Sequence, residues 1–378
     1  MSRRSSAILF VFAAALASCV RHPAPAAPGV TVSPRFFSIA QEHFVEDSLP
    51  GGIYAVVGIP DADEGGWFGF ADVEHQIPIT DSTLFNIASV SKPITALLTA
   101  ILIHKGEVSL SEPVIGMTQG LTPPPGFDSA GVTVSKILSH TAGLGMPSVP
   151  CPPLDSARPS TAEALRGAFG DRGPLTVVGR PGEHFAYSGG GYTLLQLALE
   201  TRFQLPLGTL LDRQLFATLG RFDASTDPRP GPQLAIPYGE DGKPLRAYRC
   251  VGEAAGGIFL SQRDADRLLR AYIGDAFGVL SHGDIEFVGW PRVAVEIPGV
   301  DVRGTSYGFG HFVASTAAGD TIIFHSGGNP GAVAFLAVNR RRHTAIFVAV
   351  NSERGISLVK ALVAEWARSG GFSPPPVF

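Results

Sequence analysis

The chain has 378 residues, 45% of them hydrophobic, enough to bury a large core, and a length that by itself allows two or three domains. Its 29 Lys and Arg against 33 Asp and Glu leave a net charge of −4, which excludes the basic footprint of a nucleic-acid binder. The 10 histidines form no His-Glu-x-x-His helix, no paired cysteine ligands accompany them, and no lysine follows the glycines at 189–191 as a phosphate loop requires, so neither a metal nor another cofactor is expected.

Residues 1–19 read as an export signal. Arg3 and Arg4 precede an apolar run from Ala7 to Leu16, which is too short to span a bilayer. Leu16-Ala17-Ser18-Cys19 resembles a bacterial lipobox, which would leave Cys19 lipidated at the new N-terminus; ordinary cleavage after Ala17 is the alternative. Residues 20–34 form an Ala/Pro-rich tether without periodicity. Together these segments imply a bacterial periplasmic protein that meets a membrane only through a lipid anchor. Lipidation of Cys19 leaves Cys151 and Cys250, either bonded to each other or present as two separate thiols.

The rest of the chain, residues 35–370 with a short tail at 371–378, reads as an α/β (α+β) sandwich. Strands are expected at Ile53 to Gly58 and Trp67 to Val73. A helix follows from Ser91 to Lys105, with apolar residues at Ile94, Leu97, Leu98, Ile101 and Leu102 and Gly106 as its stop. The middle is mostly helical: Val134 to Leu138, Thr161 to Phe169, Tyr192 to Thr201, Thr209 to Thr218, and Gln262 to Tyr272 behind a capping box on Ser261. Strands return at Tyr307 to Val313, Thr321 to Phe324, Ala332 to Val338 and Ala345 to Asn351, with a turn at Asn339 to His343 and a last helix from Ile356 to Trp366. The sheet thus draws its strands, expected to be antiparallel, from both chain ends around a helical lobe at about 106–301.

Ser89-Val90-Ser91-Lys92 opens the first long helix. Side chains three apart share a helix face, which brings the Lys92 amine within reach of the Ser89 hydroxyl. A serine attacks a carbonyl only when a base takes its proton, and a lysine is a base only when its charge is disfavoured. Burial under Phe85, Ile87 and Ile94 and the positive end of the helix dipole both act in that direction. The same helix start would stabilise an oxyanion beside Ser89. Pro93 fits there, since a first-turn residue has no intrahelical N–H bond to lose.

The segment Thr83 to Pro93 resembles the nucleophile motif of the serine β-lactamase and DD-peptidase superfamily, on the branch of class C β-lactamases and family VIII carboxylesterases. Ile137 to Leu144 resembles a Ser-His-Thr segment of that branch, Phe185 to Tyr192 its second motif, and Phe324 to Gly328 its third, with Ala254 to Gly257 completing the order. The resemblance covers roughly residues 35–368 and implies one catalytic unit of two lobes. It also implies that Ser89 is acylated, that Lys92 is its base, and that Tyr187 is a second proton carrier with a pKa lowered by nearby cations. His325, Ser326 and Gly327 would form the strand edge that receives substrate, and the backbone N–H groups of Ser89 and Gly328 the oxyanion hole, the two glycines letting the substrate carbonyl come close.

Two departures bear on the substrate. Gly189 stands where the family has an asparagine that helps hold the acylamino group of a β-lactam, and His325 stands where the third motif often has lysine, so that it would meet a substrate carboxylate fully only when protonated. His140 is expected to fix a loop. Ser357 to Lys360 repeats the Ser-x-x-Lys spacing within the last helix, where an exposed lysine on an amphipathic face explains it. Gly304 to Gly308 matches the nucleophile elbow of α/β-hydrolases, but Ser306 falls in an expected strand. The sequence therefore implies a serine hydrolase acting on a small-molecule carboxylic ester or a D-amino-acid peptide. A class C-like β-lactamase and a non-catalytic penicillin-recognising scaffold are the alternatives.

Overall fold

A computed structural model describes residues 34–59, 63–148, 150–168, 173–220, 222–274, 282–295, 304–316 and 318–377. Cys19, the signal segment and all of the expected tether except Pro34 lie outside the described residues. Pro34 itself opens a helix rather than ending a tether. The strands are β1 (Gly51–Val57), β2 (Glu64–Asp72), β3 (Ile77–Pro78), β4 (Phe85–Asn86), β5 (Phe259–Leu260), β6 (Val293–Ala294), β7 (Thr305–Tyr307), β8 (Phe312–Ser315), β9 (Thr321–Asn329), β10 (Ala332–Asn339) and β11 (Thr344–Val350). The helices are α1 (Pro34–Glu46), α2 (Ser91–His104), α3 (Val134–Leu138), α4 (Thr161–Leu165), α5 (Gly189–Phe203), α6 (Leu207–Gln214), α7 (Glu253–Gly256), α8 (Gln262–Ile273), α9 (His282–Gly289) and α10 (Ile356–Gly370).

Among the described residues nine strands form one antiparallel sheet in the order β3-β2-β1-β11-β10-β9-β8-β7-β6. The N-terminal β1 and the C-terminal β11 are neighbours near its middle, in register from Gly52 opposite Val350 to Val57 opposite Ala345. Both are buried throughout because the sheet is covered on both faces. Ile53, Ala55, Val57, Phe347 and Ala349 belong to the core shared with the helical lobe, whereas Tyr54, Val56, Ile346 and Val348 belong to the core under α1 and α10. The period of two sends alternate residues to opposite faces. Trp366 of α10 is fully buried and donates through Nε1 to Thr344 Oγ1 at 2.8 Å. The start of α1 docks on buried Glu64, which accepts the Phe37 N–H at 2.7 Å and the Tyr54 hydroxyl at 2.7 Å. That carboxylate satisfies donors that a helix start leaves without intrahelical partners.

Several elements differ from their sequence-based bounds for identifiable reasons. The strand expected at Tyr307 to Val313 is two strands, β7 and β8, because Gly308 N–H bonds back to the His311 carbonyl at 2.8 Å and Gly310 has a φ of +73°. β9 runs on from Phe324 through Asn329, so the third motif is strand throughout. α5 starts three residues early, since the Ser188 hydroxyl caps the Gly191 N–H at 2.9 Å. The helix expected at Thr209 to Thr218 stops at Gln214 and continues as a 3₁₀ turn at Phe216–Thr218, and α4 stops at Leu165. α1 and α9 were not marked by the apolar periodicity used for the other helices. The capping box on Ser261 is present, with Asp264 as its partner.

Residues 150–154 run antiparallel to 247–251: Val251 N–H bonds the Pro150 carbonyl at 3.0 Å and Leu154 N–H the Ala247 carbonyl at 2.9 Å. Cys151 and Cys250 are joined by a disulfide across this ladder, closing a span of 99 residues. A cross-link over so long a span removes much of the unfolded chain's freedom. Replacing both cysteines by alanine is expected to cost about 2–4 kcal/mol of stability, read from equilibrium urea unfolding of the oxidised protein against the variant. An unchanged midpoint would show that the ladder alone holds the two segments.

Candidate active site

The turn that carries Ser89 is wedged between the helical lobe and the sheet. β4 pairs with β5, and Ile87 N–H continues the pairing to the Ile258 carbonyl at 3.0 Å. The chain then turns sharply: Ala88 sits at φ +46°, in the left-handed region that a residue with a Cβ rarely adopts. Its N–H is held by Asn86 Oδ1 at 3.1 Å and its carbonyl by the Ser91 hydroxyl at 2.7 Å, while Ser91 Oγ accepts the Ile258 N–H at 3.0 Å. Ser89 follows on a 3₁₀ turn, half-buried, just ahead of α2.

Lys92 is 1% exposed, and its Nζ lies 3.2 Å from Ser89 Oγ. The amine donates to the Ala255 carbonyl at 2.7 Å and lies 4.7 Å from the centre of the Tyr187 ring and 5.7 Å from that of Tyr192. Burial penalises its charge and pulls its pKa down to about 7.

Tyr187 hydrogen-bonds Ser89, and its surroundings push its pKa upward, because desolvation outweighs that bond. This overturns the expected lowering by cations: burial of the Tyr187 hydroxyl dominates, and the amine beside it has its own charge disfavoured by burial. Tyr187 is held from both sides by one residue. The His140 carbonyl accepts the Ala186 N–H at 2.7 Å, His140 Nδ1 accepts the Ser188 N–H at 3.1 Å, and the His140 ring lies 4.3 Å from the Tyr187 ring. Because Nδ1 accepts, neutral His140 carries its proton on Nε2. Burial, with Lys92 and His325 nearby, keeps it well below the usual histidine range. A φ of +56° lets this residue offer carbonyl and ring to the same segment.

Gly189 has a steric cause. A Cβ there would fall 2.7 Å from the Pro147 carbonyl oxygen, so the 146–148 loop fills the space that an asparagine side chain would need.

His325 does not reach the cleft as a cation. It is 1% exposed, Nδ1 faces the Ser326 carbonyl at 2.6 Å, and Nε2 faces the Tyr307 hydroxyl at 3.2 Å. A carbonyl only accepts, so Nδ1 carries the proton and Nε2 accepts from Tyr307. Burial and Lys92 hold its pKa well below the ordinary value, so the expected meeting of a protonated His325 with a carboxylate is replaced by a neutral ring packed behind Tyr187, with ring centres 6.2 Å apart. Ser326 is half-buried and Gly328 exposed on β9. The two glycines differ. A Cβ on Gly327 would lie 2.6 Å from the Ile87 carbonyl oxygen and 3.1 Å from Ser89 N, whereas one on Gly328 would meet nothing within 4 Å. Gly327 is therefore required by the Ile87–Ser89 turn, not by an approaching carbonyl.

The structure brings Ser89, Lys92, Tyr187 and Gly327 together. Ser306 sits in β7, and Ser357 bonds Asp47 while Lys360 is exposed, as its helix face predicts. Sequence reasoning missed the Ala255 carbonyl, the bracketing of Tyr187 by His140, and the two asparagines at 86 and 329. Among the described residues no group of three or more His, Cys, Asp or Glu is placed to hold a metal ion, and no helix is long and apolar enough to cross a membrane.

The β-lactamase family model matches residues 38–365. A penicillin-binding protein of Bacillus subtilis (strain 168) is 29% identical over 161 residues, 40% of this chain and 33% of that protein. Esterase EstB of Burkholderia gladioli is 31% identical over 187 residues, 47% of this chain and 46% of that protein. The chain thus matches a third to about half of the length of these curated relatives. Among solved structures, the octameric penicillin-binding protein homologue from Pyrococcus abyssi superposes with a TM-score of 0.72 at 22% identity, covering 90% of this chain and 78% of that one, which establishes a shared fold.

The two third-motif glycines give a paired test. Gly327→Ala is expected to cost about 1–3 kcal/mol in thermal or urea unfolding, since the backbone it strikes cannot swing away, whereas Gly328→Ala stays within about 0.5 kcal/mol of wild type. Equal stabilities for the two variants would contradict the close approach of β9 to the Ile87–Ser89 turn.

Proposed function

Since the chain belongs to the β-lactamase family, we propose that it is a serine hydrolase working through an acyl-enzyme on Ser89, with a neutral carboxylic ester as its preferred substrate class. The observation that carries this reading is the buried Lys92 amine 3.2 Å from Ser89 Oγ, with a pKa drawn down to about 7. At neutral pH a substantial fraction of that amine has a free lone pair. As Ser89 Oγ bonds to the substrate carbonyl carbon, its proton passes to Lys92, and the carbonyl electrons collect on an oxygen held by the Ser89 and Gly328 N–H groups. Collapse of that adduct expels the alkoxide, which takes a proton from Tyr187; the raised pKa of Tyr187 keeps it protonated and suits it to donate. Lys92 returns a proton to Tyr187, and a water repeats the sequence to release the acid.

The charge of the site supports an ester over a substrate with a carboxylate. Neither His325 nor His140 is protonated near neutrality, and Lys92 must lose its charge to act. The space for an acylamino-binding side chain at Gly189 is filled by the Pro147 backbone. Both features weigh against a β-lactam or a peptide that ends in a free carboxylate.

Lys92 titrates from charged to neutral as pH rises, so kcat/KM for a short-chain aryl ester should climb through about pH 7 and level off above it. Ser89→Ala and Lys92→Ala should each lower it by at least about 1,000-fold while keeping the fold. Intact-mass spectra after mixing with the ester, and separately with a penicillin, read the acyl adduct directly. Efficient penicillin consumption would favour the β-lactamase alternative, and an inactive wild type the scaffold alternative. The Arg3-Arg4 start, the apolar run and Leu16-Ala17-Ser18-Cys19 support export and lipid attachment at Cys19. Labelled palmitate should enter the full chain expressed in a bacterium and be lost in Cys19→Ala; labelling that persists would count against this site of attachment.

A further inference from the structure

Asn86 precedes Ser89 by three residues, and Asn329 directly follows Gly328. Neither takes part in the chemistry proposed above, yet their side chains join the two segments that carry the oxyanion donors. Asn86 Oδ1 accepts the Ala88 N–H at 3.1 Å and an Asn329 Nδ2–H at 2.8 Å. Asn329 Nδ2 also reaches the Gly256 carbonyl at 2.9 Å, which Asn86 Nδ2 meets at 3.3 Å, and Cys250 Sγ lies 3.6 Å away. Both amide orientations follow from groups with a single role. A backbone N–H can only donate, so Asn86 turns its oxygen toward Ala88; a carbonyl can only accept, so Asn329 turns its NH₂ toward Gly256.

These bonds supply something that the main chain does not. Among the described residues, 87–90 and 326–329 exchange no main-chain hydrogen bond. Gly327 packs against the Ile87 carbonyl and Ser89 N, which stops the segments from approaching, and nothing in that contact stops them from parting. The Asn86–Asn329 bond opposes that separation, and the same Asn86 oxygen holds Ala88 at its positive φ. Contact on one side and a tether on the other fix a distance.

We propose that Asn86 and Asn329 are positioning residues that set the separation between the Ser89 and Gly328 N–H groups, and so tune stabilisation of the oxyanion without contributing to substrate binding. The proposal rests on the reading of those two N–H groups as the oxyanion hole. A loosened hole acts on the transition states of acylation and deacylation alike, so both steps slow together and kcat falls while KM stays put.

The test uses the full chain and a short-chain aryl ester, with the number of active sites counted from the burst. Asn86→Ala, Asn329→Ala and the double variant are each expected to lose about 10- to 100-fold in kcat per titrated site, with KM within about twofold of wild type. Because either substitution cuts the same tether, the double variant should be about as slow as the slower single one. Asn329→Asp keeps the shape, turns a donor into a third oxygen facing two acceptors, and should show the same loss if an alanine variant does not fold. A residue that merely stabilises the fold would lower the titrated fraction and the melting temperature but leave kcat per site intact; that result, or additive losses, overturns the clamp. Ser89→Ala is run alongside. If it retains turnover, the acyl-enzyme reading itself fails and the clamp with it, whereas a dead Ser89→Ala with unchanged clamp variants overturns the clamp alone.

Discussion

Burial of the Lys92 amine is the constraint around which the rest of the site is arranged. An ammonium removed from water is costly unless it loses its proton or finds a partner, and here it is offered one carbonyl, from Ala255, and two aromatic rings. That carbonyl has to be held in place. α7, which carries it, is bonded to the nucleophile helix by Thr95 Oγ1 donating to the Ala254 carbonyl at 3.0 Å, and to α5 by the Ala254 N–H donating to Gln196 Oε1 at 3.2 Å. Gln196 in turn donates to the Val251 carbonyl at 3.2 Å, at the end of the segment stapled by the disulfide. The helical lobe therefore does more than roof the sheet: it buries the lysine and presents the acceptor that holds its amine beside the serine.

Three basic side chains, Lys92, His140 and His325, share one aromatic enclosure, in which Lys92 lowers the tendency of both histidines to take a proton and His325 that of His140. They are not equivalent. His140 is locked as an acceptor by the Ser188 N–H, and His325 as a donor to the Ser326 carbonyl, so a proton gained on either His140 Nδ1 or His325 Nε2 breaks an existing bond or meets a neighbouring charge. Lys92 has no such lock, because a neutral amine still has an N–H for the Ala255 carbonyl while its lone pair can face Ser89 Oγ. Only one of the three can cycle through both protonation states without disturbing the backbone.

How much of this was legible depended on sequence distance. Ser89 and Lys92 share a helix face, so local geometry sufficed, as it did for the Ser261 capping box and for the bland reading of Lys360. Strand order was legible only as a tendency for both chain ends to meet, since the pairing of β1 with β11 is decided by packing across the whole chain. The neutrality of His325 was not legible, because its type permits a cation and it is burial among rings, with Lys92 nearby, that disfavours one. The bracketing of Tyr187 and the Asn86–Asn329 bond join residues 48 and 243 positions apart. No periodicity or motif spacing reports such pairs. A signal did exist for Asn86, which precedes a serine at a tight turn, where a side-chain oxygen commonly satisfies a backbone N–H two residues on.

Gly189 shows why a departure from a family pattern belongs to a neighbourhood and not to a single position. Gly189 and Gly190 donate to the Pro147 and Met146 carbonyls at 3.2 and 2.8 Å, so the loop takes up the first N–H groups of α5 as well as the space beside them. That loop is held at Gly145, whose carbonyl accepts from Ser188 Oγ at 2.5 Å, and beyond it by the Cys151–Cys250 staple. Restoring an asparagine at 189 would thus insert a side chain against main chain anchored at both ends, and the clash could be relieved only by moving the segment that also positions Tyr187. The space beside Gly189 is thus bounded by the main chain of Pro147 and Ser148, where an asparagine would have placed a side-chain amide. On the proposed acyl-enzyme reading, an acyl group beside Gly189 would meet this main chain and not a side-chain amide.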